Sequence, residues 1–281
     1  MHFSCRNRSS NRSFLLLAPL SARVECFKGE IIHSEQSYDH FLEEMQRLRG
    51  RIYLQDGAVK ASDLGPDGRH ISPFDTESWH LLTVSSSNRV LGCARFQQHS
   101  NSVFYNQLGV RHSSIARSNE WGSKMRSSIH AELESARLAG FSYVEVGGWA
   151  LSEELWGSTE ALHGALAIFA WSRLLGGALG IATATERNNS ASILRRLGGR
   201  SLQWEGESLP SYYDRRYSCF MEVLRFDSRS PNPKYSETIE LLLSRLAEFP
   251  VIRRRRSGIW GDSGCMAETQ PFARWAEPLL A

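Results

Sequence analysis

Hydrophobic and polar positions alternate in two distinct rhythms along this chain, and those rhythms predict most of its elements. Phe41, Leu42, Met45 and Leu48 fall on one side of a 3.6-residue repeat, which predicts an amphipathic helix over Ser37 to Gly50. Trp79 to Ser85 and Arg89 to Phe96 are apolar runs joined by Ser86, Ser87 and Asn88, the pattern of a β-hairpin. Trp121, Met125, Ile129 and Leu133 step by four, predicting a helix that ends at Gly140. Further on, strands are expected over Phe141 to Leu151, Ala178 to Thr185 and Tyr217 to Phe226. Helices are expected over Ala161 to Leu175, Asn189 to Leu197 and Tyr235 to Phe249. With a short strand at Arg23 to Phe27, the order mixes hairpin and crossover connections. It predicts an α+β domain built on a mixed central sheet flanked by helices.

The punctuation divides the chain. Residues 1–20 read as a disordered leader, because Pro19 interrupts the apolar run Phe14 to Leu20 that follows Arg6, Arg8 and Arg12. Residues 21–230 read as the domain proper, 231–250 as a C-terminal helix behind Pro231 and Pro233, and 251–281 as a basic flexible tail. Arg253 to Arg256 reads as a solvated charge run. Gly57, Gly65, Pro66, Gly68 and Pro73 mark a long loop after the first helix.

Composition changes the picture little. The 281 residues carry 33 basic and 30 acidic side chains, a net charge of +3, too small to suggest a nucleic-acid protein. Five cysteines lie scattered without metal-ligand spacing, so reduced thiols in a cytoplasmic protein and no metal are expected, with Cys93 and Cys219 as core residues. No run approaches the roughly 20 apolar residues that span a bilayer.

Candidate chemistry lies mainly in the second half. Asn188-Asn-Ser-Ala191-Ser-Ile-Leu194-Arg195-Arg196-Leu-Gly198-Gly199 follows a strand and ends at a glycine pair. Read for itself it is a capped helix. Tyr143-Val-Glu145-Val-Gly147-Gly148-Trp149 puts two glycines inside an apolar strand, the mark of a bulge or of a close approach to the backbone. Gly157-Ser158-Thr159 opens a helix whose free N–H groups suit an anion, although Glu153 and Glu154 stand beside it.

At Asn188, Ala191, Leu194 and Gly198 the chain resembles the GCN5-related N-acyltransferases, with Arg195 where that family often has a tyrosine general acid. The first half is similar to long-chain N-acyl amino acid synthases and, more distantly, to the autoinducer (acyl-homoserine lactone) synthases. The residues are Leu48-Arg49-Gly-Arg51-Ile-Tyr53, Phe74-Asp75 and Val90-Leu-Gly92-Cys-Ala-Arg95-Phe96, with Gly68-Arg69-His70, Trp79-His80, Tyr212-Tyr213-Asp214 and Phe226-Asp227 in order. The resemblance implies an acyl group moved by direct aminolysis from an acyl carrier protein or acyl-CoA to the amine of an amino acid. There is no tightly bound cofactor in that chemistry, and a long-chain product would itself associate with membranes. Glu145, Asp75, Arg95 and Arg49 match the catalytic and amine-site positions, with Glu145 or Asp75 as base and Arg95 or Arg49 as a carboxylate clamp. A structural ion pair among Arg49, Asp75 and Arg95 is the competing reading. Gly147, Gly148, Trp149, Gly157, Ser158, Thr159, Asn188 and Arg195 match the pantetheine-binding positions. Gly148 stands where autoinducer synthases have arginine, which argues against S-adenosylmethionine as acceptor. His80 reads as a packed core histidine, and Tyr213 is a weak stand-in for the missing acid. Arg187, Arg195, Arg196 and Arg200 are expected to receive an acidic carrier protein. The rival readings are an acetyl-CoA-dependent acetyltransferase of a small amine and a non-catalytic acyl-carrier or lipid-binding protein.

Overall fold

The computed structural model describes residues 12–255. Five helices and twelve strands appear in this span. β1 (Arg12–Leu17) and β2 (Ile31–His33) precede α1 (Glu35–Gln55). The Ser34 hydroxyl opens α1 by accepting from the Ser37 N–H at 3.1 Å, and its buried stripe is Tyr38, Phe41, Leu42, Met45, Leu48 and Ile52. β3 (Trp79–Ser85) and β4 (Val90–His99) form the expected hairpin, followed by α2 (Gly122–Leu138), β5 (Ser142–Leu151), α3 (Thr159–Leu174) and β6 (Ala178–Thr185). Then come α4 (Ser190–Leu197) and the short strands β7 (Arg200–Ser201), β8 (Gln203–Trp204), β9 (Glu207–Ser208) and β10 (Tyr212–Asp214). β11 (Cys219–Asp227), α5 (Ser236–Leu246) and β12 (Val251–Arg253) complete the described chain.

The main sheet runs β10-β11-β6-β5-β4-β3-β1-β12-β2, with β7 added beside β11. α1 and α2 cover one face, over Leu82, Cys93 and Ala150 and over Tyr143, Ile181 and Val223 respectively. α3 and α5 cover the other, where Trp171 lies between Trp79 and Phe96 with ring centroids 5.1 and 5.2 Å away.

Both ends of the chain correct the expected domain plan. The leader of residues 1–20 does not hold for 12–17. Those residues form β1, hydrogen-bonded along its length to β3, with Leu16 and Leu17 wholly buried. The run is apolar because it is an interior strand, and Pro19 simply ends it. Residues 23–27, expected as a strand, form turns instead. The tail begins later than expected, since Val251–Arg253 is strand β12, parallel to both β1 and β2. The 231–250 segment holds the expected helix, α5, whose Ile239, Leu242 and Leu246 enter the same core as α3. Residues 1–11 and 256–281, including Arg6, Arg8 and Arg256, lie outside the described residues.

One feature of the sheet positions the site. β5 and β6 run parallel and pair from Ser142 opposite Ala178 to Glu145 opposite Ile181, and no further. Past that point β5 stays with β4 as far as Leu151, and β6 stays with β11 as far as Thr185. Two neighbouring strands that keep only their outer partners open a wedge between them. The β4–β5 register slips between Cys93 and Arg95, where two residues of β5, Gly148 and Trp149, face one of β4, Ala94. Gly148, at φ +63°, sits in that bulge, as the paired glycines predicted.

Candidate active site

Along the α1–α2 face, alternate residues of β4 (Arg95, Gln97, His99) and of β5 (Gly147, Glu145, Tyr143) stand opposite one another in three cross-strand pairs. Arg49 reaches the same cleft from α1, and Asp75 and Ser72 from the loop after it. Gly148 carries no side chain where Arg95 and Arg49 pass: a Cβ there would lie 3.0 Å from the Arg95 Cβ and 3.4 Å from an Arg49 guanidinium nitrogen. Together with its positive φ, this crowding excludes an arginine at position 148 on this backbone.

Arg49 and Asp75 form a buried bidentate pair, Nη1 to Oδ1 at 2.8 Å and Nη2 to Oδ2 at 2.5 Å, with side-chain exposures of 1% and 2%. Asp75 also accepts from Gln46 Nε2 and the Ser72 N–H, both at 3.0 Å, and its carbonyl bonds His80 Nε2 at 2.7 Å. Burial alone would raise the Asp75 carboxyl; the Arg49 bonds and charge more than offset that and hold it at about 2. Arg49 spends its other bond on the His70 carbonyl. Both side chains are thus committed to holding the loop against α1, and His80 is the packed core histidine expected of it.

Arg95 is different. It is half-buried, it donates to Ser72 Oγ at 2.9 Å, and its guanidinium carbon lies 5.5 Å from the centre of the Phe74 ring. Among the described residues no carboxylate pairs with it; its Nε has no partner, which is equally true of Arg49 Nε, so the difference lies in the missing carboxylate. Burial and the neighbouring Arg49 charge lower its pKa, yet a guanidinium stays charged. Gln97 Oε1, two residues along the same strand face, is also buried without a partner.

Glu145 sits at the last paired rung before the wedge. Its carboxylate accepts from the Gly109 and Val110 N–H groups at 2.8 Å each and from His99 Nε2 at 3.1 Å. Burial raises its pKa, and the His99 bond with the two backbone donors brings it below the ordinary value.

The residues expected to hold a pantetheine arm lie on β5, at the α3 start, at the β6–α4 junction and in α4. Gly147, Gly148 and Trp149 line its β5 edge, past the last β5–β6 pair. Gly157 takes φ +69°, and the Ser158 hydroxyl accepts from the Ala161 N–H at 3.2 Å to open α3 at Thr159. The acids beside that helix start are not free. Glu154 pairs with Arg89, Glu153 accepts from Gln55, and Arg12 reaches both the Glu154 carbonyl and Glu160. Asn188 and Asn189 both adopt left-handed backbone at the β6–α4 junction, and Asn189 makes no side-chain cap. The Asn188 side chain instead bonds Asp56. Arg195 pairs with Glu222 of β11, so the position of the family tyrosine carries an ion pair. Tyr213 is half exposed on β10 against Phe220. Arg187 donates to the Asp56 and Ser218 carbonyls.

The comparisons place this geometry. A CoA-dependent acyl-homoserine lactone synthase, BjaI, solved with SAM and isopentyl-CoA, superposes with a TM-score of 0.51 at 14% identity, covering 88% of this chain and 96% of that one. The same synthase with MTA gives 0.50 at 14% identity over the same shares. The fold is that of the GCN5-related N-acyltransferases. FeeM, an N-acyl amino acid synthase from uncultured soil microbes, gives a TM-score of 0.45 at 11% identity over 78% of this chain and 91% of its own. No family model matches the sequence, and no curated protein does. The wedge and the bulge both lie along β5, and the α3 start follows its end in the chain. Sequence reasoning placed those parts but missed Gln97, His99 and the Gly109–Val110 amides. The signal for the first two was present: Arg95, Gln97 and His99 are polar at a period of two on the strand face turned toward the helices.

Proposed function

We propose that this chain is an N-acyltransferase that moves an acyl group from a phosphopantetheine thioester to the amine of an amino acid. The observation that carries this reading is Arg95, a half-buried guanidinium beside a strand wedge that forms no ion pair among the described residues. A cation drawn partly out of water without a paired counter-charge is costly, and a carboxylate ligand would neutralise it bidentately. The amino-acid carboxylate then sits at Arg95, with its amine directed toward the Gln97–Glu145 rung. The thioester carbonyl lies in the wedge, where N–H groups of β5 past the last β5–β6 rung stabilise the developing oxyanion. Asp75 is committed to Arg49, so proton removal belongs to the Glu145 end of the cleft. With Arg195 paired to Glu222, the thiolate leaves without a protein acid at that position.

The donor is an acyl carrier protein or acyl-CoA. Arg12 and Arg89, which offset the acids at the α3 start, favour the CoA reading more than the loop sequence alone does. Arg196 and Arg200, exposed near the wedge, remain for a carrier protein.

The test is mass spectrometry of lipid extracts from bacteria overproducing the chain, with purified protein then assayed on acyl-carrier protein and acyl-CoA. New N-acyl amino acids, lost with Arg95→Met, are expected. Product from acetyl-CoA alone would establish the acetyltransferase reading instead, and donor binding without any product would establish the non-catalytic one.

A further inference from the structure

The resemblance offers Glu145 or Asp75 as the base; Asp75 is held by Arg49, and the Glu145 carboxylate is already engaged by three donors. Two backbone N–H groups and one imidazole N–H converge on it, and all three stabilise the ionised form. A carboxylate so held is a poor proton acceptor and a good orienting group.

The orientation falls on His99. An ionised carboxylate only accepts hydrogen bonds, so the ring nitrogen facing it, Nε2, carries the hydrogen. When the ring is neutral its lone pair is then at Nδ1, and among the described residues no hydrogen bond engages Nδ1. The His99 side chain is 12% exposed, so the ring is enclosed without being sealed. Between His99 and Arg95 on the same strand face lies Gln97, whose buried Oε1 lacks a donor. An unpartnered buried acceptor costs stability unless a ligand donates to it. Arg95, Gln97 and His99 therefore offer, along three successive positions of one face, a cation, a hydrogen-bond acceptor and a base. A free α-amino acid offers a carboxylate, an N–H and a proton to lose.

We propose that His99 is the catalytic base for the acceptor amine, with Glu145 as its positioning residue and Gln97 Oε1 accepting an N–H of the same amine. This rests on the N-acyltransferase reading above. The ammonium gives one proton to His99 Nδ1, which passes it to solvent. The freed nitrogen lone pair forms the N–C bond to the thioester carbonyl carbon, whose π pair moves to oxygen. His99 takes the second proton from the tetrahedral intermediate as it collapses. The C–S bond breaks, the sulfur keeps its electron pair, and the thiolate is protonated from water. The products are the amide and the free thiol.

The charged and titratable groups facing the His99–Glu145 pair are few. Tyr143 stands opposite His99 on β5, backed by the Glu132–Arg225 ion pair from α2 and β11, and Arg95 lies along β4. The segment that meets Glu145 from the loop offers backbone N–H groups rather than charges.

The experiment uses the full chain with a decanoyl thioester, on carrier protein and on CoA, and an equimolar amino-acid mixture as acceptor. kcat/KM is followed against pH for wild type, His99→Gln, Glu145→Gln and Gln97→Met, with thermal melting of each. His99→Gln should lower kcat/KM at least about 100-fold and remove the acid limb of the profile while melting like wild type. Glu145→Gln should displace that limb rather than abolish it, and Gln97→Met should raise KM for the amino acid with kcat nearly unchanged. In nitrogen-15 spectra of the resting protein, the His99 ring should appear as the Nε2–H tautomer. A wild type that turns over while His99→Gln keeps its rate and its acid limb overturns this proposal and leaves the acyltransferase reading intact. No turnover by wild type on either donor overturns the acyltransferase reading, and this proposal with it.

Discussion

Arg49 and Arg95 enter one cleft from α1 and β4, and only Arg49 meets a carboxylate. The sequence gives both the same standing, as arginines near Asp75. The fold separates them into a structural cation locked in an ion pair and a cation with an open coordination site. That asymmetry makes the two residues respond oppositely to substitution.

Replacing Arg95 by Met should leave the melting temperature unchanged or raise it, since the change removes a half-buried charge that no carboxylate pairs. The KM for the amino acid should rise about 10- to 100-fold, the loss of a charge-assisted hydrogen bond of roughly 1.5–3 kcal/mol. Steady-state kinetics beside a thermal melt checks both. A lowered melting temperature with unchanged KM would make Arg95 structural.

Asp75→Asn should behave in the reverse sense. It leaves Arg49 buried without its counter-charge, a loss of about 3–5 kcal/mol by analogy with other broken buried pairs. Calorimetry should show a drop on the order of 10 °C for a chain of this size. The double variant Arg49→Met with Asp75→Leu should recover much of it, because neither charge is then stranded. A double variant no better than the single one would contradict this account.

Stability should fall on acidification in two stages. Burial lowers the His80 pKa to about 4, against the raising pull of Asp75, and Asp75 itself is held at about 2. Both folded values lie below the unfolded ones, 6.5 and 3.8, so the unfolded chain binds more protons across each window. Burial likewise lowers the His70 pKa to about 4, so stability present at neutral pH is lost between 6.5 and 4 through His80 and His70, then between 3.8 and 2 through Asp75. The loss is on the order of 3 kcal/mol for each histidine and about 2 kcal/mol for Asp75. Urea unfolding at stepped pH measures the slope, and His80→Gln should make the upper stage shallower, leaving the share of His70. An upper stage equally steep in that variant would assign the loss elsewhere.

Deleting residues 1–20 should abolish cooperative folding. It removes β1 from between β3 and β12 and exposes the edges of both. Leu16→Asp in the full chain should do the same, because that side chain is wholly buried. Circular dichroism on heating reports the outcome. A truncated protein melting like wild type would restore the leader reading.

Much of this protein was legible in its sequence because the information was local. The 3.6-residue stripe of α1, the Ser86–Asn88 turn, the paired glycines of β5 and the Gly157–Thr159 helix start each declare themselves within a few residues. The wedge and bulge follow from them once the strand order is known. Asp75, Arg49, Arg95 and Glu145 are candidates through the resemblance to the acyl amino acid and autoinducer synthases. What the sequence could not distribute among them was partnership, because hydrogen bonds join residues 26 to 46 positions apart, as in Arg49 with Asp75 and His99 with Glu145. The ends of the chain were misread for the same reason. β1 and β12 are adjacent in the sheet, with Leu16 opposite Val251, yet neither shows a partner nearby in sequence. Local pattern determined the elements and the cast of polar residues. Only tertiary packing decided which of those residues are consumed in holding the fold and which are left with unmet bonds.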